Sequence, residues 1–235
     1  MMPIELDARL AMLAALTPAC EMAADIGADH GFLGVHLLES GKCRRVQLVD
    51  ISEPSLRKAR RLAERRGLAD RALFSVGDGL AALVEPAQAI VVAGMGGPTI
   101  AGIVERGRSR IGGARLIIQP NVGDELLRSR LSALGLRIVD ESLARAGGRW
   151  YVGIAAEEGC WPAPNDDELL AGPVLLAGPH PLLAGYAGFR MRVLEKALAG
   201  ARQGDSARAD ELAGQLARWR RIAARLPAGR GGGGA

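Results

Sequence analysis

Short apolar runs alternate with longer amphipathic segments along the first two thirds of the chain. Residues 6–16 predict an amphipathic helix, which Thr17-Pro18 ends. The apolar runs that follow predict strands at residues 21–25, 46–50, 72–76, 89–93, 115–119, 136–142 and 150–156. Between most of these strands lie helix candidates at residues 30–40, 54–66, 97–108 and 123–134. Because such alternation is typical of a parallel sheet covered on both faces, we expect an α/β fold.

The pattern changes at the end of the predicted sheet. The short segment Ala-Arg-Ala-Gly-Gly-Arg (144–149) lies between the last two strands, which predicts a hairpin and therefore an antiparallel pair at the end of the sheet. The composition shifts at residues 159–164, and residues 165–184 are predicted to be loop-rich because they contain several prolines. We therefore place a domain boundary between residues 158 and 159.

Two further helices are predicted at residues 183–201 and 206–226, with Gly204 and Asp205 as cap residues between them. One face of the second helix is an apolar stripe made of Leu212, Leu216, Trp219, Ile222 and Leu226. Its opposite face carries Arg208, Arg218, Arg220, Arg221 and Arg225. The stripe predicts a helical hairpin that packs on itself. A solvated face is the usual role of such arginines, and a face that contacts RNA is the alternative. The terminal glycine-rich tail is expected to be disordered.

Composition narrows the class of protein only slightly. The 235 residues are 49% apolar but only 3% aromatic, so Ala, Leu and Val must fill the core. A net charge of +4 is compatible with a polyanionic partner without requiring one. Cys20, Cys43 and Cys160 are widely spaced, which suggests neither a disulfide framework nor a zinc site. With no signal-peptide pattern and no apolar run long enough to span a membrane, we expect a cytoplasmic protein.

The loop after the first strand, residues 25–31, carries the first candidate chemistry. Ligands of open parallel sheets bind beyond the carboxyl ends of the strands. A dinucleotide-binding loop would have glycine where Asp29 stands, because backbone amides must approach a pyrophosphate there. A carboxylate repels phosphate and suits a cation such as the sulfonium and ammonium groups of S-adenosylmethionine. The alternative is a structural turn in which Asp29 caps the next helix.

The next two strand ends also carry acids. Asp50 ends the second strand, where a carboxylate can accept both ribose hydroxyls of a nucleoside. After the third strand, Asp78 is positioned to accept the adenine amino group, with Leu80 against the ring. The alternatives are a solvated strand-end acid for Asp50 and an ordinary Asp-Gly turn for Asp78.

The fourth and fifth strand ends suggest a place for the reacting groups. Gly94, Gly96 and Gly97 surround Met95, so a cofactor methyl group or a substrate base could approach the backbone closely. A tight packing turn is the alternative. After the fifth strand, the amides in Gln119-Pro120-Asn121 could read the edge of a base.

These segments resemble one family, the bacterial tRNA (adenine-N1)-methyltransferases of the TrmK type, which modify adenine 22. The matching stretches are LDARL (6–10), ADIGADHGFL (24–33), GDGL (77–80), AGMGG (93–97), LIIQPN (116–121), LRSRL (127–131), GRWYVGIAAEE (148–158) and AGPVLL (171–176). Gly31, Gly34 and residues 51–54 depart from the family pattern. The resemblance implies a Rossmann-like class I methyltransferase domain over residues 1–158 and a helical, tRNA-contacting domain over residues 159–235.

The expected site has three parts: residues that bind the cofactor, residues at the reaction centre and residues that contact the tRNA. The residues expected to bind S-adenosylmethionine are Asp25, Gly27, Asp29, His30, Asp50, Ile51, Gly77, Asp78, Gly79, Leu80, Gly94, Met95, Gly96 and Gly97. Those expected at the reaction centre are Asp29, Gly94, Met95 and Asn121. The tRNA is expected to contact Arg9, Gln119, Pro120, Asn121, Arg218 and Arg221.

The expected reaction is a direct displacement by the lone pair of adenine N1, which needs no metal. His30 is a candidate base, although a histidine beside a helix start is more often a structural hydrogen-bonding residue. Two other classes are open: a methyltransferase acting on another RNA, a small molecule or a protein, and a non-catalytic RNA-binding protein. Intact acids at Asp25, Asp29, Asp50 and Asp78 argue against the latter. The sequence is compatible with a monomer or a homodimer.

Overall fold

The computed structural model of the chain describes residues 4–159 and 162–226. The strands are β1 Cys20–Ile26, β2 Cys43–Asp50, β3 Ala72–Val76, β4 Ala89–Met95, β5 Arg115–Pro120, β6 Leu136–Ala146 and β7 Arg149–Glu158. The helices are α1 Ala8–Leu16, α2 Phe32–Glu39, α3 Glu53–Arg65, α4 Gly97–Arg106, α5 Arg108–Ile111, α6 Asp124–Ala133, α7 Asp166–Ala171, α8 Pro173–Ala177, α9 Leu183–Ala201 and α10 Ser206–Arg225. Short 3-10 turns occupy Ala69–Arg71 and Gly79–Ala82.

The strands form one seven-stranded sheet in the order β3-β2-β1-β4-β5-β7-β6. The first five strands are parallel, and β7 runs antiparallel to both β5 and β6. This topology confirms the predicted Rossmann-like sheet with an antiparallel terminal hairpin. The chain order reverses between β1 and β4, which puts the expected ligand crevice at the carboxyl ends of these two strands.

Burial explains why the central strands read as continuous apolar runs. In β4 the segment from Ala89 to Val92 is completely buried, and in β1 burial extends from Met22 to Ile26. Strands covered by helices on both faces have no solvent side, so an alternating pattern is not expected. Away from the apolar core, α6 and β6 are joined by buried charges: the Arg128 guanidinium contacts Glu141 at 2.8 Å and Asp124 at 3.2 Å.

The chain forms two compact units that divide between Pro164 and Asn165, whereas composition predicted a boundary at 158/159. The prediction that residues 165–184 are loop-rich is wrong, because α7 and α8 begin there. Asn165 and Glu168 form a capping box at the start of α7, and Pro173 is the first residue of α8. Proline is well tolerated at that position, so it marked a helix start rather than a loop.

The second unit contains the predicted helical hairpin. Asp205 caps α10 by accepting the N–H of Arg208. Trp219 of the apolar stripe is fully buried, and its ring meets Tyr186 of α9 edge-on, with centroids 5.6 Å apart. The expected disorder of the glycine-rich tail concerns residues outside the described part of the chain.

Two cysteines that are far apart in the sequence come into contact. Cys20 and Cys43 begin β1 and β2 in register, and their Sγ atoms lie 3.3 Å apart as free thiols. Burial raises the pKa of both, that of Cys43 to about 12. Cys160 lies outside the described residues. Nowhere in those residues is there a helix with the length and apolarity needed to traverse a membrane.

Candidate active site

A cavity of about 670 Å³ lies at the carboxyl ends of the parallel strands in the first unit. It has the size of a site for a small organic ligand. Most predicted site residues line it: Arg9, Asp25, Gly27, Asp29, His30, Asp50, Ile51, Gly77, Asp78, Gly79, Gly94, Met95 and Asn121. Tyr151 and Arg149 of the hairpin strand β7 line it as well, and sequence reasoning missed them. The sequence signal for these two residues was the stretch GRWYVG (148–153), which is distant in the sequence from the carboxyl ends of the five parallel strands.

Five other predicted residues of the first unit do not line the cavity, and packing explains two of them. Leu80 is buried against Gly107, so closely that a Cβ added to Gly107 would lie 2.4 Å from the Leu80 Cβ. Its side chain therefore does not contact an adenine ring in the cavity. Gly97 donates its N–H to Val122 O, and its own added Cβ would lie 2.4 Å from Gly123 O. Gly97 is therefore the tight packing turn that the sequence left as an alternative. The remaining three are Gly96, Gln119 and Pro120.

The two predicted tRNA-binding arginines of the helical unit are engaged in ion pairs. Arg218 lies 2.6 Å from Asp166, and Arg221 lies 3.9 Å from Asp167. Arg225 approaches Asp167 at 3.8 Å, and Arg220 pairs with Glu195 of α9 at 3.0 Å. Acids of α7 and α9 thus offset much of the charge on the basic face of α10.

The loop after β1 brings Asp29 to the cavity without making it a helix cap. Asp29 has a left-handed backbone with φ 47°, a conformation that Asp tolerates better than most residues. Gly31, not Asp29, is the N-cap of α2. The Asp29 side chain is 67% exposed and its backbone N–H donates to Asp50 Oδ2 at 2.9 Å. The helix-cap alternative for Asp29 is therefore wrong.

Asp50 joins the two acidic loops of the cavity. Its Oδ2 accepts the Asp29 N–H, and its Oδ1 accepts the Ser52 N–H at 2.8 Å. Each oxygen of a carboxylate has two lone-pair sites, so both can still accept a ligand hydroxyl. The two backbone bonds hold the carboxylate in one orientation at the cavity wall.

Asp25 is the most buried acid of the cavity. Burial raises the pKa of its carboxyl well above the ordinary value, to about 7, and the nearby charge of Asp50 adds to this rise. The N–H of Gly34 and the guanidinium of Arg9 act in the opposite direction on this pKa. Gly34 lies in the first turn of α2, where helix N–H groups have no intrahelical partner, so Asp25 satisfies one of them from the strand end.

The raised pKa of Asp25 predicts a pH-dependent stability. The folded state binds this proton at pH values up to about 7, whereas the unfolded chain releases it near 3.8. Stability of the ligand-free chain should therefore fall as the pH rises from about 4 to about 7, by at most about 4 kcal/mol, and then level off. Urea unfolding of the chain and of Asp25→Asn across this range isolates the effect, because other groups cancel in the difference. Parallel stability profiles would contradict it.

A hydrogen-bonded relay beside the cavity connects α1 to β4. Arg9 Nη1 donates to Gln119 Oε1 at 3.1 Å, and Gln119 Nε2 donates to Asn121 Oδ1 at 3.2 Å. Asn121 Nδ2 then donates to Gly94 O at 2.7 Å. Because a guanidinium only donates and a carbonyl only accepts, each amide in the relay has one orientation. The Arg9 guanidinium also lies 5.8 Å from the centroid of the Tyr151 ring.

His30 has both ring nitrogens engaged. Its Nδ1 lies 2.7 Å from Asp29 Oδ2, and its Nε2 lies 3.1 Å from Lys58 Nζ. A lysine ammonium only donates, so Nε2 accepts and a neutral His30 carries its proton on Nδ1, toward Asp29. This arrangement favours a hydrogen-bonding role for His30 over that of a base. Across residues 4–159 and 162–226, no group of three or more His, Cys, Asp or Glu side chains is arranged to hold a metal ion.

The chain is similar to known proteins in both sequence and fold. Residues 6–154 match a family model described as a methyltransferase domain. A tRNA (adenine(22)-N(1))-methyltransferase of Bacillus subtilis (strain 168) is 34% identical over 179 residues, which cover 75% of this chain and 74% of that protein. The crystal structure of the B. subtilis m1A22 tRNA methyltransferase TrmK is similar with a TM-score of 0.83 and 26% identity, and covers 94% of this chain and 99% of its own.

A further similar structure contains a ligand. It is a Streptococcus pneumoniae protein crystallised in complex with S-adenosyl-L-methionine, similar to this chain with a TM-score of 0.84 and 26% identity. The similarity covers 93% of this chain and all of the other.

Proposed function

We propose that this chain, which belongs to the tRNA (adenine(22)-N(1))-methyltransferase family, methylates N1 of an adenine in tRNA, with S-adenosylmethionine as the methyl donor. The position expected from the family is adenine 22. The cytoplasm, the compartment expected from the sequence, is part of this proposal. The chain is thus proposed to be an enzyme whose substrate is a folded RNA.

The observation that carries the proposal is the pair of acids at the end of β1 and β2. Asp29 lies at the cavity where a phosphate-binding loop would have glycine, and Asp50 has free lone pairs for the hydroxyls of a ribose. Gly27, two residues before Asp29, has φ 75°, and the atom nearest to an added Cβ there is the flexible end of the Met95 side chain, at 2.5 Å. These features fit a cationic nucleoside with no phosphate.

When bound, S-adenosylmethionine supplies a methyl group on a positively charged sulfur, which the lone pair of adenine N1 can take directly. The residues of the chain contribute positioning and electrostatics rather than a covalent step. Asp29 stabilises positive charge on the cofactor side of the cavity. Because N1 lies on the pairing edge of adenine, the target base must be unpaired or extruded to reach the cavity.

The relay through Asn121 supports adenine as the base. Asn121 lines the cavity, and its Oδ1 keeps one lone pair after accepting from Gln119. That lone pair can accept the amino group that adenine carries beside N1. Guanine has a carbonyl oxygen at that position, so two hydrogen-bond acceptors, this oxygen and Asn121 Oδ1, would face each other. We propose that Gln119 and Arg9 act as positioning residues because they keep the amide of Asn121 in this orientation.

One incubation tests the function. Unmodified tRNA and labelled S-adenosylmethionine are mixed with the chain, and the product is mapped by primer extension, which stops at an N1-methylated adenine. We expect label in the tRNA and a stop at adenine 22. Label in another RNA, a small molecule or a protein would favour the second class of function. Cofactor binding with no transfer to any of them would favour a non-catalytic RNA-binding protein.

A further inference from the structure

A second groove, of about 250 Å³, opens beside the cavity and shares His30 and Phe32 with it. We call it the α3 groove: it is lined by His30, Phe32, Lys58, Arg61, Leu62 and Arg65. Residues 58, 61 and 65 follow the spacing of one helix face, so their three cations stand in a row along α3. Leu62 is buried between them.

The cations of this groove are not neutralised. Nearby, Arg57 of α3 pairs with Glu53, and Arg66, the residue after α3, pairs with Glu39. Within the described residues, no carboxylate lies within ion-pair distance of Lys58, Arg61 or Arg65. The row therefore keeps its positive charge, in contrast to the arginines of α10 that face the acids of α7 and α9.

An exposed aromatic ring completes the surface. Phe32 is 46% exposed, an unusual position for so large an apolar side chain. Its ring plane is inclined by 28° to that of His30, with the centroids 6.0 Å apart. Cations that track a phosphate backbone beside an aromatic ring that stacks on bases are the combination by which proteins bind single-stranded nucleic acid.

The groove is linked to the active site by side-chain contacts. Lys58 contacts His30, and His30 contacts Asp29 at the cavity wall. An RNA strand in the groove would therefore enter the cavity beside Asp29. These contacts join the row to the carboxylate of Asp29, whose Oδ2 is occupied by His30.

We propose that the α3 groove binds the tRNA strand next to the target adenine: Arg61 and Arg65 contact its phosphates, and Phe32 stacks on a flanking base. This inference rests on the proposed function, since it names the surface by which that substrate is held. It gives the first unit its own RNA-binding surface.

The test reverses two charges of the groove that do not line the cavity. In Arg61→Glu/Arg65→Glu, we expect the KM for unmodified tRNA to rise at least about 10-fold, because two phosphate contacts are replaced by repulsion. The plot of log affinity against log salt should become less steep by about two. The rate at saturating tRNA and the Kd of S-adenosylmethionine should each change less than about 2-fold.

A variant with the same change in net charge is the control. Arg44→Glu/Arg130→Glu alters two exposed arginines of the first unit, one on β2 and one on α6, and neither lies in the groove or lines the cavity. An equal loss of tRNA affinity in both variants, or an unchanged KM and salt slope in the groove variant, would overturn the inference. The unsubstituted chain is assayed in parallel. If it methylates no tRNA, the proposed function has failed, whereas a failure of the groove alone leaves the unsubstituted rate intact.

Discussion

Asp29→Ala should abolish measurable binding of S-adenosylmethionine in titration calorimetry. The substitution removes the negative charge proposed to face the cationic cofactor, and charge-assisted contacts of this kind are worth about 1.5–3 kcal/mol each. It also removes the bond to His30 Nδ1 and places alanine at φ 47°, where its backbone is strained. The affinity for S-adenosylmethionine is therefore reduced in three ways: by the lost charge, by the lost contact with His30 and by rearrangement of the strained loop.

Two further variants separate these causes. Asp29→Asn keeps the shape of the side chain and tolerates the left-handed backbone, so it removes only the charge, and we expect roughly 10- to 100-fold weaker binding. Asp70→Ala removes an exposed acid that does not line the cavity, and its affinity should match that of the unsubstituted chain. Unchanged affinity in Asp29→Ala would refute the role given to this residue.

Asn121→Asp should lower the rate of methyl transfer by about 100-fold or more, the scale seen when an oriented polar group of an active site is lost. Asn121 Nδ2 donates to Gly94 O at 2.7 Å, and a carboxylate oxygen in its place would be repelled by that carbonyl. The side chain would turn away, and the acceptor proposed to receive the adenine amino group would be lost. Single-turnover transfer to tRNA measures the effect. The cofactor affinity should change by less than about 3-fold.

The relay supplies matched variants for this prediction. Arg9→Met removes the donor that orients Gln119, whereas Arg9→Lys keeps a cation that only donates. The lysine variant should therefore retain more transfer activity than the methionine variant, although both lose the contact between the guanidinium and Tyr151. Two results would contradict a role for the relay in methyl transfer. One is a normal transfer rate for Asn121→Asp, and the other is equal transfer rates for the two Arg9 variants.

Much of the sheet was predictable because its signals are local. Each parallel strand contains a short, mostly apolar run, and the acids and glycines stand at or directly after its end, as with Asp50 at the end of β2. The mistakes were also local. Pro173 predicts a loop but begins α8, because proline suits both places. The predicted helix 97–108 divides into α4 and α5 at Gly107, a residue that packs closely against Leu80.

The sequence by itself determined the α/β class, the loop in which Asp29 replaces a phosphate-compatible glycine, and the row of strand-end residues that border the cavity. Only the tertiary structure brought Arg9 to Gln119, Cys20 to Cys43, and Lys58 to His30. These pairs are separated by between 23 and 110 residues. Their contacts depend on strand register and helix orientation, which the packing of the whole domain sets and no local pattern encodes.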